Sequence, residues 1–151
     1  MRAINHALTG AIIGLSVTEP VIALPAAFLS HYALDMIPHS GFKDRDSQNL
    51  RKNSFKYWLI IDAVLCAVLV AILALSQPMN WLQAAACAFL AALPDMFSFG
   101  RYLAARNNRE YHPNWYSNFA SRIQWFERPI GWVVEVAWFI GAIIVLVPLV
   151  H

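Results

Sequence analysis

Long apolar runs separated by short polar breaks dominate the chain and predict a bundle of membrane-crossing helices. A helix needs about 20 apolar residues to cross the hydrocarbon core of a bilayer. Five runs approach or reach that length, and we expect one helix in each; their approximate bounds are 3–18, 21–38, 57–75, 79–100 and 129–150. The breaks between them contain the prolines and polar residues that usually end helices.

The first two runs are short for a full span. Each helix therefore either crosses the bilayer on a tilt or forms, with its neighbour, a tight hairpin that only just spans. A polar and aromatic stretch before the last run predicts a short helix near 115–127 that lies in the membrane interface. Residues 1–151 are thus predicted to form one all-α, polytopic transmembrane domain.

The distribution of charge supports a membrane protein and predicts its orientation. Only 13% of the residues are charged, against roughly a quarter in an average soluble domain. All 11 lysines and arginines lie at Arg2, within 39–56 or within 101–128. With five spans these regions share one side, which the positive-inside rule makes cytoplasmic. We expect the N-terminus inside and the C-terminus outside, and the net charge of +2 is too small to indicate a nucleic-acid partner.

Acidic residues and histidines inside the apolar runs are unusual, because each charge costs several kcal/mol at the bilayer centre. Every predicted helix carries at least one such residue in its cytoplasmic half, namely His6, His31, Asp35, Asp62, Asp95 and Glu135. Their shared depth predicts one polar cluster. The structural alternatives stay open: Asp62 or Glu135 beside an arginine, His6 on a backbone carbonyl, and Asp95 in a helix opened by Pro94.

Four-residue spacing places His31 and Asp35 on one face of a helix. His39 joins that face if the last turn tolerates Pro38; otherwise it lies nearer the surface as a gate or supporting group. In the first run, His6 and two glycines follow the same spacing. Small residues at that spacing allow close helix approach in a membrane, which would bring His6 toward its neighbours.

Imidazoles and carboxylates on one level form a donor set for a divalent metal. Zn²⁺ suits it first, with Mn²⁺ or Fe²⁺ as alternatives, and the set can hold one ion or two. The predicted ligands are His6, His31, Asp35, Asp95 and His39. Glu135 and Asp62 are predicted catalytic groups, as general base or bridging ligand. Such centres hydrolyse phosphoesters, and the basic loops either attract an anionic lipid substrate or only set the topology.

Three motifs resemble the LexA-regulated, membrane-bound metal-dependent hydrolase family. They span Asn5 to Gly10 (NHALTG), Ser30 to His39 (SHYALDMIPH) and Leu93 to Met96 (LPDM). The resemblance implies a multi-pass protein of the bacterial inner membrane, with His6, His31, Asp35 and Asp95 as its best-supported metal ligands. Two features depart from the family: the LPDM motif comes after the histidine–aspartate helix, and the later histidine-rich stretch is represented by His112 alone.

Two other functions fit the same residues. Intramembrane carboxylates also carry protons in ion-coupled transporters, and polar side chains also hold helices together in structural membrane proteins. The acids cluster toward one side of the membrane, which favours a site over a transport path. We expect membrane lipids as partners, and a homodimer is an open alternative.

Overall fold

The computed structural model describes residues 1–40, 50–97, 99–123 and 130–151, and this part of the chain is helical without a strand. The helices are α1 (Ala3–Ser16), α2 (Pro20–Asp35), α3 (Asn53–Ser76), α4 (Trp81–Phe97), α5 (Phe99–Arg106), α6 (Trp115–Ile123) and α7 (Gly131–Val150). The predicted all-α class is confirmed.

Within the described ranges, three stretches are long and apolar enough to cross a membrane: α3, α7 and the run Trp81–Arg106 that contains α4 and α5. Their outer faces carry large exposed apolar side chains, such as Trp58 and Ile144, which suit a lipid environment. These features indicate a membrane protein. By contrast, α1 and α2 are only about 21 and 24 Å long at 1.5 Å per residue, so the count of five spans stays a prediction.

Helix α1 occupies the centre of the bundle, where it contacts α2, α3, α4 and α7. Its closest neighbour is α4, and the glycine stripe explains why. A Cβ atom added to Gly14 would lie 2.5 Å from the Cα atom of Ala84, and one added to Gly10 would overlap the carbonyl of Cys87. The predicted close approach along this stripe is therefore confirmed, and it places the start of α1 against the end of α4.

The end of α2 differs from the prediction. The helix ends at Asp35 rather than at 38, because the residue before a proline disfavours the helical conformation. The amide of Ile37 bonds to the carbonyl of Leu34 at 3.1 Å and tightens the last turn. His39 therefore does not continue the face of His31 and Asp35.

Other helix ends shift by a few residues. Helix α3 begins at Asn53 instead of 57, since polar residues there extend the helix beyond the apolar run. Helix α1 ends at Ser16, and α4 begins at Trp81 after a turn. The stretch expected to end at 100 reaches Arg106 as the run Trp81–Arg106, in which α4 and α5 lie on either side of residue 98, outside the described residues. Residues 124–127 of the predicted interfacial helix and the expected start of the last helix at 129 lie outside the described residues.

Candidate metal site

The start of α1 and the ends of α2 and α4 meet at one end of the bundle and bring four predicted ligands together. Asp35 lies between the two histidines, with Oδ1 at 3.3 Å from Nε2 of His6 and Oδ2 at 3.4 Å from Nε2 of His31. The same His31 nitrogen lies 3.9 Å from Oδ1 of Asp95. His31 and Asp35 thus share a face, as their spacing predicted.

The orientation of His31 is fixed through its other nitrogen. Nδ1 lies 2.8 Å from the carbonyl oxygen of Ala91. A carbonyl only accepts, so Nδ1 carries the hydrogen and donates it. Pro94, which lies inside α4, supplies no amide hydrogen to the preceding turn and loosens the helix here. Nε2 of His31 therefore points at two carboxylates, which is the arrangement that metal-binding histidines adopt.

His6 is fully buried, and neither of its ring nitrogens makes a hydrogen bond within the described residues. Nε2 lies 3.3 Å from Oδ1 of Asp35, a contact that is an ion pair when the ring carries a second proton. The His6 ring stacks on that of His31, with centroids 4.0 Å apart and planes inclined by 27°. Because unsatisfied buried polar atoms are rare, and because two imidazolium ions this close would repel each other, a cation between the rings is a chemically consistent partner for His6.

Ligand atoms of His6, His31 and Asp95 all lie within 4.8 Å of one another, so this group can hold a metal ion. Donors around one tetrahedral Zn²⁺ at about 2.1 Å are about 3.4 Å apart. Small side-chain rotations would therefore close the set around an ion. The Asp95 side chain is 34% exposed whereas the histidines are buried, which leaves one side of the group open to a water or substrate.

Asp35 is buried and has a further cationic neighbour in the amino group of Met1, which contacts Oδ1. A buried carboxylate is stable as an anion only with cations or hydrogen-bond donors beside it. The position of Asp35 suits two roles: it can be an additional metal ligand, or it can orient both imidazoles.

Asp62 is placed beside Arg2 rather than against the histidines. Nε of Arg2 lies 3.1 Å from Oδ1 of Asp62, and the Arg2 guanidinium carbon lies 4.3 Å from the centroid of the Trp58 ring. The sequence left open that Asp62 lies beside an arginine instead of serving the polar cluster, and Arg2 is that arginine. Asp62 stands at the edge of the cluster, with its charge balanced.

Glu135 lies in α7 and is not part of the grouped ligand atoms, and it has a different set of partners. Its Oε2 accepts a hydrogen bond from Oγ of Ser40 at 2.8 Å, and its backbone carbonyl accepts one from Nδ2 of Asn5 at 3.1 Å. Oε1 is buried and has no hydrogen-bond partner among the described residues. Sequence reasoning missed Asn5 and Ser40, although Asn5 was visible as a polar residue beside His6 in an apolar run.

His39 is buried within the protein, with 1% of its surface exposed, and its expected position near the membrane surface stays a prediction. The segment after α2 folds against the start of α7, where Gly131 lacks a side chain and the His39 backbone touches it. Nδ1 of His39 lies 2.8 Å from the carbonyl of Ile37. Burial lowers the pKa of this imidazole. His39 lies in the segment that also supplies Ser40 to Glu135.

Helix α6 covers the site end of the bundle. The Tyr116 hydroxyl donates to the carbonyl of Pro94 at 3.3 Å, and the ring centroids of Phe119 and Tyr32 are 5.7 Å apart. Burial raises the pKa of Tyr116. These contacts hold a short amphipathic helix over the ends of α2 and α4, beside the open side of the metal group.

No protein-family model matches the chain, and comparisons with curated proteins and with solved structures also give no match. The likeness to the hydrolase family therefore rests on the three short motifs. Functional assignment depends on the geometry of the His6, His31, Asp35 and Asp95 cluster.

Proposed function

We propose that the protein is a membrane-embedded, metal-dependent hydrolase that cleaves a phosphoester of a lipid or lipid-linked substrate. The observation that carries this proposal is the stacked pair of buried histidines. His31 donates through Nδ1 to a backbone carbonyl and presents Nε2 to carboxylates, while both nitrogens of His6 are without hydrogen bonds among the described residues. Such a pair beside Asp95 supplies donors that can hold a cation.

His6, His31 and Asp95 are the proposed ligands, with Asp35 as a fourth ligand or a bridge to a second ion. Two nitrogens and one or two carboxylate oxygens suit Zn²⁺ best, with Mn²⁺ or Fe²⁺ as alternatives. When bound, such an ion lowers the pKa of a water molecule and polarises a phosphoryl oxygen. The exposed side of Asp95 admits the substrate.

Glu135 is the proposed general base. Its Oε1 is buried without a hydrogen-bond partner in the described part of the chain, so it is available to accept a proton. Oε2 is held by Ser40 at 2.8 Å, which fixes the carboxylate. Asp62, paired with Arg2, is proposed to hold the start of α1 and so to support the position of His6.

The proposed setting is the inner membrane of a bacterium, with five spans and the metal site at the cytoplasmic end. Arg2 belongs to the site end of the bundle, and the other lysines and arginines lie in the two loops that five spans place on the same side. Membership of the LexA-regulated hydrolase family is part of this proposal. An anionic lipid of the inner leaflet is the proposed substrate.

Metal analysis of the purified protein in detergent tests the site. We expect stoichiometric transition metal in the wild type and its loss in His6→Ala, His31→Ala and Asp95→Asn. His112→Ala is the matched control, because this histidine is exposed and lies outside the cluster. A wild type without metal, or site variants that keep as much metal as the control, would contradict the proposal.

Activity separates a hydrolase from the alternatives. Release of phosphate from a short-chain phosphatidic acid should fall by about 10²–10⁴-fold in Glu135→Gln, the usual contribution of a general base, while its metal content stays at the wild-type level. Proton flux in liposomes that Asp62→Asn abolishes would instead establish a transporter. Loss of activity that only follows loss of thermal stability, with no metal present, would establish a structural role.

A further inference from the structure

A cavity of about 380 Å³ lies between the residues before α3, helix α5 and the chain that follows α5. Three arginines from distant parts of the sequence line it: Arg51, Arg101 and Arg109. Cavities of this size accommodate small ligands or headgroups. This cavity is separate from the metal group.

Local hydrogen bonds fix the frame of this arginine cavity. Nε of Arg51 donates to the carbonyl of Ala105 at 2.8 Å, which ties the start of α3 to α5. Asn108 adopts a left-handed backbone with φ 53°, and the amide of Arg109 then bonds to the carbonyl of Ala104 at 2.9 Å. This turn brings Arg109 and the following tyrosine back over α5, so the cavity is built by the fold.

The described lining of the arginine cavity is rich in positive charge. It contains three arginines and one acidic residue, Glu110. A guanidinium presents paired N–H donors that match phosphate oxygens. A role in membrane topology alone requires positive charge on one side of the bilayer, but it does not require arginines from two loops to converge on one cavity.

The surroundings indicate what carries the phosphate. Arg101 follows Asp95 by about 9 Å along the helical run, at 1.5 Å per residue, so the arginine cavity and the metal group share one end of the bundle. Phe99, Leu103 and Trp115, which lie beside the cavity in sequence, are 48%, 45% and 79% exposed. A cationic cavity in a stretch of chain that also exposes apolar side chains suits an amphiphile at a membrane surface.

We propose that the arginine cavity binds the phosphate group of a phosphoester, either on a lipid headgroup or on a soluble molecule. The inference rests on the proposed function in one respect, because it identifies the recognised group as the phosphate of the hydrolase substrate. Binding itself uses the arginines and needs neither the metal nor turnover.

Binding measurements in neutral detergent test this proposal, with dihexanoyl phosphatidic acid, glycerol 3-phosphate and dihexanoyl phosphatidylcholine as probes. We expect the phosphatidic acid to bind, and Arg101→Gln and Arg109→Gln each to weaken it by roughly tenfold or more, as loss of a charged hydrogen bond does. Arg122→Gln removes an exposed arginine of α6 outside the cavity and should change nothing. Equal binding of glycerol 3-phosphate assigns the soluble source, and weaker binding assigns the lipid.

Several results would overturn the arginine cavity as a phosphate site. The wild type could fail to bind either phosphate probe, bind phosphatidylcholine equally well, or lose binding to the same extent in Arg122→Gln. Arg101→Lys keeps the charge but loses the paired N–H donors. If both donors bind the phosphate, this variant should bind phosphatidic acid better than Arg101→Gln and worse than the wild type. If Arg101→Lys and Arg101→Gln lose phosphatidic acid binding equally and keep the wild-type melting temperature, the site requires the arginine side chain itself and not positive charge alone.

Metal content measured on the same samples separates the two proposals. If the protein contains no metal but binds phosphate in a way that depends on Arg101, the phosphate site is supported and the metal-dependent hydrolase is contradicted. If the protein contains stoichiometric metal and its phosphate binding is unchanged in Arg101→Gln and Arg109→Gln, the metal site is supported and the arginine cavity is contradicted as the phosphate site.

Discussion

Replacing Gly10 with alanine tests the packing that positions the metal group. Gly10 lies where α1 touches the backbone of α4. An added Cβ would overlap the carbonyl oxygen of Cys87 and lie 2.8 Å from Cβ of Ala91. The first contact is with backbone, which cannot rotate away as a side chain can, so the two helices must separate.

The expected loss of stability can be worked from two opposing effects. Overpacking of this kind costs about 1–3 kcal/mol, and backbone overlap places Gly10→Ala toward the upper end. Alanine regains about 1 kcal/mol over glycine within a helix. The net expectation is a free energy of unfolding lower by about 2 kcal/mol. His6 lies one turn before Gly10, so separation of α1 from α4 should also weaken metal binding.

Reversible unfolding in mixed detergent measures this change, and Gly141→Ala is the matched control. Gly141 lies in α7, and an added Cβ would meet nothing within 4 Å there. The control should therefore be neutral or more stable by up to about 1 kcal/mol. If Gly10→Ala proves as stable as Gly141→Ala, then α1 and α4 do not pack as described.

Three further predictions concern residues around the metal group. Arg2→Met should lower the free energy of unfolding by about 1–3 kcal/mol, because it leaves the partly buried Asp62 without its partner; a double variant with Asp62→Asn should recover most of the loss in the same unfolding assay. Trp138→Phe should cost about 1 kcal/mol by removing the 3.0 Å bond from Nε1 to Oγ1 of Thr9, and adding Thr9→Val should cost little more. Burial lowers the pKa of His39, so the unfolded chain takes up a proton first. Its contribution to stability is complete above about pH 6.5 and falls below it. Melting temperatures across this range should therefore drop less in His39→Gln.

The helices were predictable because each reflects a local signal. Apolar runs gave the all-α class, and the four-residue spacing of Gly10 and Gly14 gave the close contact of α1 with α4, which the structure confirms. The shared depth of the intramembrane acids and histidines was equally visible. It correctly placed His31 with Asp35 and brought His6 to them.

Partner choice was not predictable, because periodicity gives the face and the depth of a residue but not the rotation of neighbouring helices. Asp62 pairs with Arg2, which lies outside the apolar runs. The backbone carbonyl that orients His31 belongs to Ala91, a residue with no chemical signal of its own. The burial of His39 depends on Gly131, which is far away in sequence.

The central position of α1 sets an order on the biogenesis of the protein. Its residues leave the ribosome before those of the helices it contacts, and its main neighbour α4 and the helix α7 are synthesised much later. A nascent chain that ends before Asp95 lacks one of the three grouped ligands. Among the neighbours of α1, only α2 and α3 are complete by then, so the group of His6, His31 and Asp95 can form only after most of the chain has been synthesised.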